Sequence, residues 1–406
     1  MNQDTPLQWG VVFLRGSTII HEEENMNRSA KDTAKKEMRR KRRESLLSSG
    51  KLSEQEQILV LQGEIKALKA QIRDKVAEEY DATVVKRKIF ELSTGEINRP
   101  TWLVQPRKSE SSSLGIPTIF ASDWHYGEKV FSQQIGYVNS FDLNIADKRI
   151  EALVNNSINV LFNYLSNPKY DGLVFPLGGD MFSGDIHDEL SKTNEATMFK
   201  LLLRLAGRLS WAINTFADKF GKVYVPVVAG NHGRTSRKPV FKNRAEENYD
   251  WLLGCILARE FKNDKRVQFE ITEGTDISYS IYGHKYLLTH GDQFSGGDSI
   301  IGAIGTVARG DSKKRNRESQ INKPYDTLIC GHFHQLVVTK KAIINGSLKG
   351  YDEYASQHNF PFERPQQAMW LTHPEHGITF NMPIFLEETK KRVYKLPVEF
   401  NNELSR

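Results

Sequence analysis

From Ile116 onward, short apolar runs alternate with longer stretches whose apolar residues recur every three or four positions. The run Ile116–Ala121 stops at Asp123 and His125, and four more runs stop in the same manner. Leu173–Leu177 leads into Gly179-Asp180, Val223–Val228 into Gly230-Asn231-His232, Tyr286–Thr289 into His290, and Thr327–Cys330 into Gly331-His332-Phe333-His334. Between them the 3.6-residue period predicts helices over Asp147–Leu165 (Ile150, Leu153, Val154, Ile158, Leu161, Phe162), Glu195–Phe220 (Phe199, Leu202, Leu203, Leu205, Leu209) and Ala245–Phe261. Further strands are expected at Val267–Thr272, Ile277–Tyr282, Leu336–Thr339, Ala342–Ile344, Gln367–Thr372 and Gly377–Asn381, with Asp292–Lys323 as a loop and His284 as a turn residue. Strand–helix alternation that passes into mostly strands fits an α/β fold of two sheets with helices outside.

The first 115 residues read differently. Val11–Leu14 is a candidate strand, and Lys35, Lys36 and Arg39–Arg43 crowd into a basic stretch. Ser53 and Glu56 stand in capping-box position ahead of Ile58, Leu61, Ile65, Leu68 and Ile72, a short a/d seam that suits either a dimer helix or packing on the chain's own body. Val84–Val104 has β character and fits a hairpin, and Pro106–Gly115 is the linker candidate. The expected organisation is an N-terminal extension over 1–115, a catalytic domain over 116–385 and a tail over 386–406.

Charge adds one inference. The chain of 406 residues carries a net charge of +6, with much of the excess in its first hundred residues. Basic clusters grip phosphates by counterion release, so a polyanion is a natural partner. Two cysteines, Cys255 and Cys330, cannot build a disulfide framework and read as buried small hydrophobes in a reducing compartment. Leu7–Leu14 is a poor signal peptide, and no run is long and apolar enough to span a bilayer, so a cytoplasmic protein without membrane contact is expected.

In open α/β sheets ligands sit beyond the carboxyl ends of the strands. Asp123, His125, Asp180, Asn231, His232, His290, His332 and His334 all fall there, and together they make a plan for one site. Singly each motif is weak, since Gly-Asp is most often a turn; the conjunction, in order and without a gap, is specific. The chain resembles the calcineurin-like metallophosphoesterases, whose pattern of D-x-H, G-D, G-N-H, H and G-H-x-H it carries over about Ile116–Asn345. The resemblance implies a four-layer sandwich of two mixed sheets flanked by helices. It also implies two metals, one held by Asp123, His125, Asp180 and His334, the other by Asp180, Asn231, His290 and His332, with Asp180 bridging. Manganese suits the Asp, Asn and His donors, as do iron and zinc. In the family a hydroxide shared by two metals about 3.5–4 Å apart attacks phosphorus in line with the leaving oxygen.

His232 would then reach the phosphoryl group as a catalytic residue, or else only orient ligands. The family often has an acid directly after G-N-H; Gly233 stands there, followed by Arg234, a candidate phosphate binder through its planar fork. Asp185, His187 and Asp188 either line the cleft or cap a helix, and Asp292 is a candidate partner for His290. Asp123-Trp124-His125-Tyr126-Gly127 and Gly179-Asp180-Met181-Phe182 look most like the SbcD-like DNA-repair exonuclease branch. A phosphodiesterase acting on DNA or RNA is the first expectation, helped by the basic stretch and by Lys313, Lys314, Arg315 and Arg317. A protein phosphatase or small-molecule phosphodiesterase is the second, and a nucleic-acid-binding protein with a vestigial site the third. The seam over Ile58–Ile72 adds a homodimer or a partner protein as a candidate association.

Overall fold

The computed structural model describes residues 99–104, 115–166, 168–294 and 302–387. The predicted strand at 11–14, the basic stretch, the capping box and seam over 53–72, most of the hairpin and linker, and all but the start of the tail lie outside the described residues.

Two mixed sheets stack face to face. The first has the order β11-β10-β1-β2-β3-β4, built from β1 (Ile116–Ile119), β2 (Leu173–Val174), β3 (Val223–Val227), β4 (Val267–Ile271), β10 (Gln366–His373) and β11 (Gly377–Phe385). Strands β1 to β4 run parallel, and β10 and β11 close one edge antiparallel. The second sheet has the order β5-β6-β7-β9-β8, from β5 (Asp276–Ile281), β6 (His284–Thr289), β7 (Thr327–Cys330), β8 (Val337–Val338) and β9 (Ala342–Ile344). Helices α2 (Leu143–Asn159), α4 (Met198–Phe220) and α5 (Tyr249–Glu260) cover the outer face of the first sheet, and α6 (Ala303–Gln320) covers the second. This is the four-layer α/β sandwich that the resemblance implied.

Strands buried on both faces need apolar residues at every position, and the two-residue period then sorts them between layers. Val223, Val225 and Val227 pack toward the helices, while Tyr224 packs between the sheets. In the second sheet Tyr286, Leu288, Ile329 and Ile343 fill the inter-sheet layer. Their neighbours Leu287, Leu328, Cys330 and Ile344 face α6. Both cysteines are free and buried.

Four expectations need correction. Asp292–Lys323 is not all loop, because α6 occupies its second half with few buried apolar residues. Polar contacts hold α6 instead: Lys314 Nζ reaches both oxygens of Asp276 at 2.7 and 2.8 Å, Arg317 reaches the same carboxylate at 2.6 Å, and Arg315 donates to the carbonyls of Tyr325 at 2.8 Å and Lys341 at 3.1 Å. Those three cations hold the fold and are not a free nucleic-acid patch. Phe199 and Leu203 on α4 are exposed, since the buried stripe runs through Leu201, Leu202, Leu205 and Leu209. Thr101–Val104 is a helical turn, α1, rather than a hairpin strand: Leu103 is fully buried and its carbonyl accepts from Tyr282. The folded body therefore takes in residues placed above in the extension. His284 belongs to β6 and is no turn residue; its Nε2 lies 2.9 Å from Thr327 Oγ1.

Ile329→Ala should destabilise the protein by about 2–5 kcal/mol in urea unfolding, as a large-to-small change in a sealed layer, while Leu203→Ala should change stability by less than about 0.5 kcal/mol. Asp276 gives a pH test. Burial raises its carboxyl pKa, but Lys314 and Arg317 outweigh that and hold it below the ordinary value. Asp276→Asn should cost about 3 kcal/mol at neutral pH by stranding the buried Lys314 charge. Because the folded value is depressed, the wild-type advantage is full above an unfolded pKa of about 3.9 and fades as pH falls through the folded value. Paired unfolding curves from pH 7 downward measure it.

Candidate metal centre

Each of the five strand ends delivers its residues to one place at the carboxyl edge. Beyond β1 the chain gives Asp123 and His125, beyond β2 Asp180, beyond β3 Asn231 and His232, beyond β6 His290, and beyond β7 His332 and His334. Asp123, His125, Asp180 and His290 form a buried floor; Asn231, His232, His332 and His334 form a partly exposed rim.

The backbone there is unusual. Asp123, His125, Asp180, His332 and His334 have φ of 56°, 46°, 50°, 72° and 54°, a left-handed region that residues other than glycine seldom adopt. Such strain persists only where the surroundings over-determine it. Here Asp123 N donates to Gly179 O at 3.1 Å, and His125 N to Asp180 O at 3.1 Å. Asp180 Oδ1 accepts from His232 N at 2.7 Å, and Asp123 Oδ1 from His332 N at 2.8 Å. Close approach excludes side chains at the motif glycines; a Cβ on Gly331 would stand 2.2 Å from Asp123 Oδ2.

Among the described residues, three sets of donors gather within 4.8 Å of one another: Asp123, His125 and His334; Asp180, His290 and His332; and His125, Asp180 and His232. Asp180 thus links the first two sets through its proximity to His125. His125 Nε2 and His334 Nε2 face each other at 3.0 Å, with Asp123 Oδ1 at 3.6 Å from the latter. His290 Nε2 lies 2.9 Å from Asp180 Oδ2 and 3.1 Å from Asn231 Oδ1. Its Nδ1 meets Gly178 O at 2.9 Å, which fixes which nitrogen turns to the centre.

The electrostatics favour a cation. Burial, with the Asp180 charge adding to it, pushes the Asp123 carboxyl up to about 7. Burial acts on Asp180 in the same sense, but His290 and His232 hold it well below the carboxylate range. Burial would lower His290, yet Asp180 and then Asp123 and Asp292 raise it to about 10. A buried imidazole kept protonated by two carboxylates marks a place that lacks positive charge. Burial and neighbouring cations push His332 down to about 4 and His334 to about 3, leaving them neutral, the state in which imidazole binds metal. The donor set therefore fits divalent metal ions, with Asp123, His125 and His334 on one side and Asn231, His290 and His332 on the other of Asp180.

Several supports have no motif to announce them. Asp250, fully buried, accepts from the backbone N–H groups of Asp180 at 3.0 Å, Met181 at 3.1 Å and Gly230 at 2.9 Å. Asn248 caps α5 and donates to Gly230 O at 2.8 Å. Gln367 Oε1 accepts from Ser122 N at 3.0 Å and Trp124 Nε1 at 3.1 Å. Lys349, buried, pairs with Glu128 at 3.0 Å and with Asp352. Glu128 in turn lies 3.5 Å from His125 Nδ1, a buried nitrogen with no hydrogen-bond partner. An Asp or Asn near a helix start was the only available sequence signal, and it is too common to single out Asp250.

The structure also answers what orients His232. Its Nδ1 meets Ser183 O at 2.8 Å, so a backbone carbonyl does the work of the family's acid. Gly233 stands where a Cβ would lie 2.4 Å from Asn248 Oδ1, which leaves no room for an acid there. Arg234 is not poised for phosphate. Its Nε, Nη1 and Nη2 donate to Ser236, Asn231 and Arg237 carbonyls at 3.0, 2.9 and 3.0 Å, so the fork holds its own loop. Asp292 pairs through both oxygens with Arg244 at 2.7 and 2.8 Å and acts on His290 by charge alone. His187 borders His232 with ring centroids 5.9 Å apart, Asp188 pairs with Arg237 at 2.5 Å, and Asp185 accepts from Asn194 at 3.3 Å. A groove of about 1310 Å³ between β4 and β5 contains none of the candidate ligands.

No family model and no curated protein matches the chain. Among solved structures, it is similar to zinc-complexed Vps29 from Entamoeba histolytica at 13% identity and TM-score 0.27, over 67% of this chain and 100% of that one. A predicted phosphoesterase from Streptococcus pneumoniae TIGR4 gives 10% and 0.25, over 66% and 97%. A dimetal phosphatase from Danio rerio gives 9% and 0.28, over 67% and 99%. Similarity this slight transfers neither substrate nor residue role; the metal centre stands on this chain's own geometry.

Asp250→Ala should weaken manganese binding by about 10- to 100-fold in isothermal titration, the scale typical of lost ligand-supporting contacts. It leaves three buried N–H groups without an acceptor, so it should also destabilise the fold by more than about 1 kcal/mol. Unchanged metal affinity would remove Asp250 from the support of the centre.

Proposed function

We propose that the chain is a dinuclear-metal-dependent phosphoester hydrolase and that its substrate is a phosphodiester of DNA or RNA. The supporting observation is the convergence of Asp123, His125, Asn231, His290, His332 and His334 around a shared, buried Asp180 at the carboxyl edge of both sheets. Two divalent ions held there would supply Lewis acidity and the positive charge that a phosphoryl transition state needs. Asp123, His125 and His334 would hold one, Asn231, His290 and His332 the other, with Asp180 between them.

His232 is the group left to handle the proton. With Nδ1–H donating to Ser183 O, Nε2 remains for the substrate, and the ring carrying a second proton there would give it to the leaving oxygen or stabilise that oxygen's charge. Its ring stands edge-on to His125 at a centroid distance of 4.6 Å, beside the ligands and on the open rim. The preference for nucleic acid is supported by the net charge of +6 and the basic residues of 35–43. Trp124 and Phe182, which carry part of the likeness to the SbcD-like branch, are both fully buried.

The test is a manganese-supplemented assay on linear and circular DNA, single- and double-stranded, with bis(4-nitrophenyl) phosphate and 4-nitrophenyl phosphate as small substrates. Wild type should cleave DNA, and His232→Ala should lower kcat by about 100- to 10,000-fold with its metal content unchanged. Hydrolysis of the monoester alone would favour a phosphatase. Loss of metal in His232→Ala would make the residue a ligand, and a metal-free wild type without turnover would support a vestigial site.

A further inference from the structure

Between Asp352 and Pro365 the chain shows solvent an unusual number of rings. Tyr354 is 63% exposed, Phe360 43% and Phe362 52%, with His358 exposed among them. Three of the rings form one surface: Tyr354 and His358 have centroids 4.2 Å apart at 34°, and Phe360 lies 5.9 Å from each. Apolar groups gathered on a surface in this way mark an interaction site more often than isolated exposed residues do.

The segment is fastened to the metal centre at both ends. At its start Asp352 caps α7 (Glu353–Gln357) by accepting from Ala355 N at 2.7 Å, and pairs with the buried Lys349. Lys349 pairs with Glu128, three residues beyond His125. At its far end Glu363 accepts from Leu336 N at 2.7 Å, two residues beyond His334. Glu353 is occupied as well, accepting from Phe131 N at 2.6 Å. The segment is therefore tied to the loops that carry His125 and His334, and three of its carboxylates, Asp352, Glu353 and Glu363, are occupied by backbone N–H groups. Arg364 stands exposed beside it.

Resting on the phosphodiesterase reading, we infer that Tyr354, His358 and Phe360 form a shelf on which the bases of single-stranded nucleic acid stack while a backbone phosphate reaches the metal centre. A phosphodiester polymer carries a flat, largely apolar base beside each linkage, and every base has a π-face to offer, whatever its sequence. A phosphorylated serine or threonine brings no such ring with its phosphate, and a phosphotyrosine brings one ring rather than a series of bases along a backbone. In a duplex the bases stack on one another, so the strand that meets the shelf is unpaired.

The test uses the full chain with manganese, in a His232→Ala background so that nothing is cut. Fluorescence anisotropy compares a short labelled oligothymidylate with an abasic strand of the same length. The basic N-terminal residues grip phosphates in both, so the readout is the base-dependent difference. Without shelf substitutions, the base-bearing strand should bind about 5- to 150-fold more tightly, equivalent to about 1–3 kcal/mol for one stacked base. Tyr354→Ala with Phe360→Ala should abolish that difference, and Tyr354→Phe, which keeps the ring, should retain it. No difference between the strands, or one that survives the double alanine substitution, overturns the shelf. So does a loss of self-association in the double variant by light scattering with base-dependent binding intact, which would make the surface a contact between copies. Hydrolysis of bis(4-nitrophenyl) phosphate by wild type decides the phosphoesterase reading separately from the shelf.

Discussion

Asp123 and Asp180 lie side by side in the interior, and two carboxylates cannot both stay ionised there without a cation between or beside them. Much of the local architecture follows from that constraint. In the protein alone, burial and the Asp180 charge drive Asp123 toward its neutral form, while Asp180 keeps its charge by holding a proton on His290. Divalent ions held there would resolve the same conflict, and the neutral imidazoles of His332 and His334 on the open side are donors that would help to hold them. The strained left-handed backbone at five of the ligands is the cost of bringing their side chains to one point.

Holding that strain is the task of the layers beneath. The parallel strands β1 to β3 set three loops at one edge, and β6 and β7 bring two more from the second sheet. Cross-links between loops then fix each ligand relative to the others rather than to its own strand. Asp250 ties the Asp180 loop to the Gly230 loop, and Asp123 itself receives the His332 N–H. Lys349 joins the His125 loop to the segment that begins at Asp352.

The strand ends were legible because an apolar run that stops at Asp, His or Asn is a local pattern, and five of them in order carry the fold and the candidate ligands together. What escaped the sequence was held by distant partners. Helix α6 was missed because its anchors are the Asp276 pairs and the carbonyls that Arg315 reaches rather than an apolar stripe. Leu203 and Phe199 look like core residues by period, yet the buried face is offset to Leu201 and Leu205. Arg234 looked free because nothing in a sequence shows that three neighbouring carbonyls would take its donors. Gly233 looked like a gap in the family pattern, and its reason lies in Asn248, fifteen residues on in the chain and touching it in space.

The most direct test of the central claim is anomalous diffraction from crystals grown with manganese. A metal pair shared by Asp180 should give two peaks about 3.5–4 Å apart, the usual separation in two-metal sites, with His232 coordinating neither. A single peak, or two peaks that do not share Asp180, would contradict it.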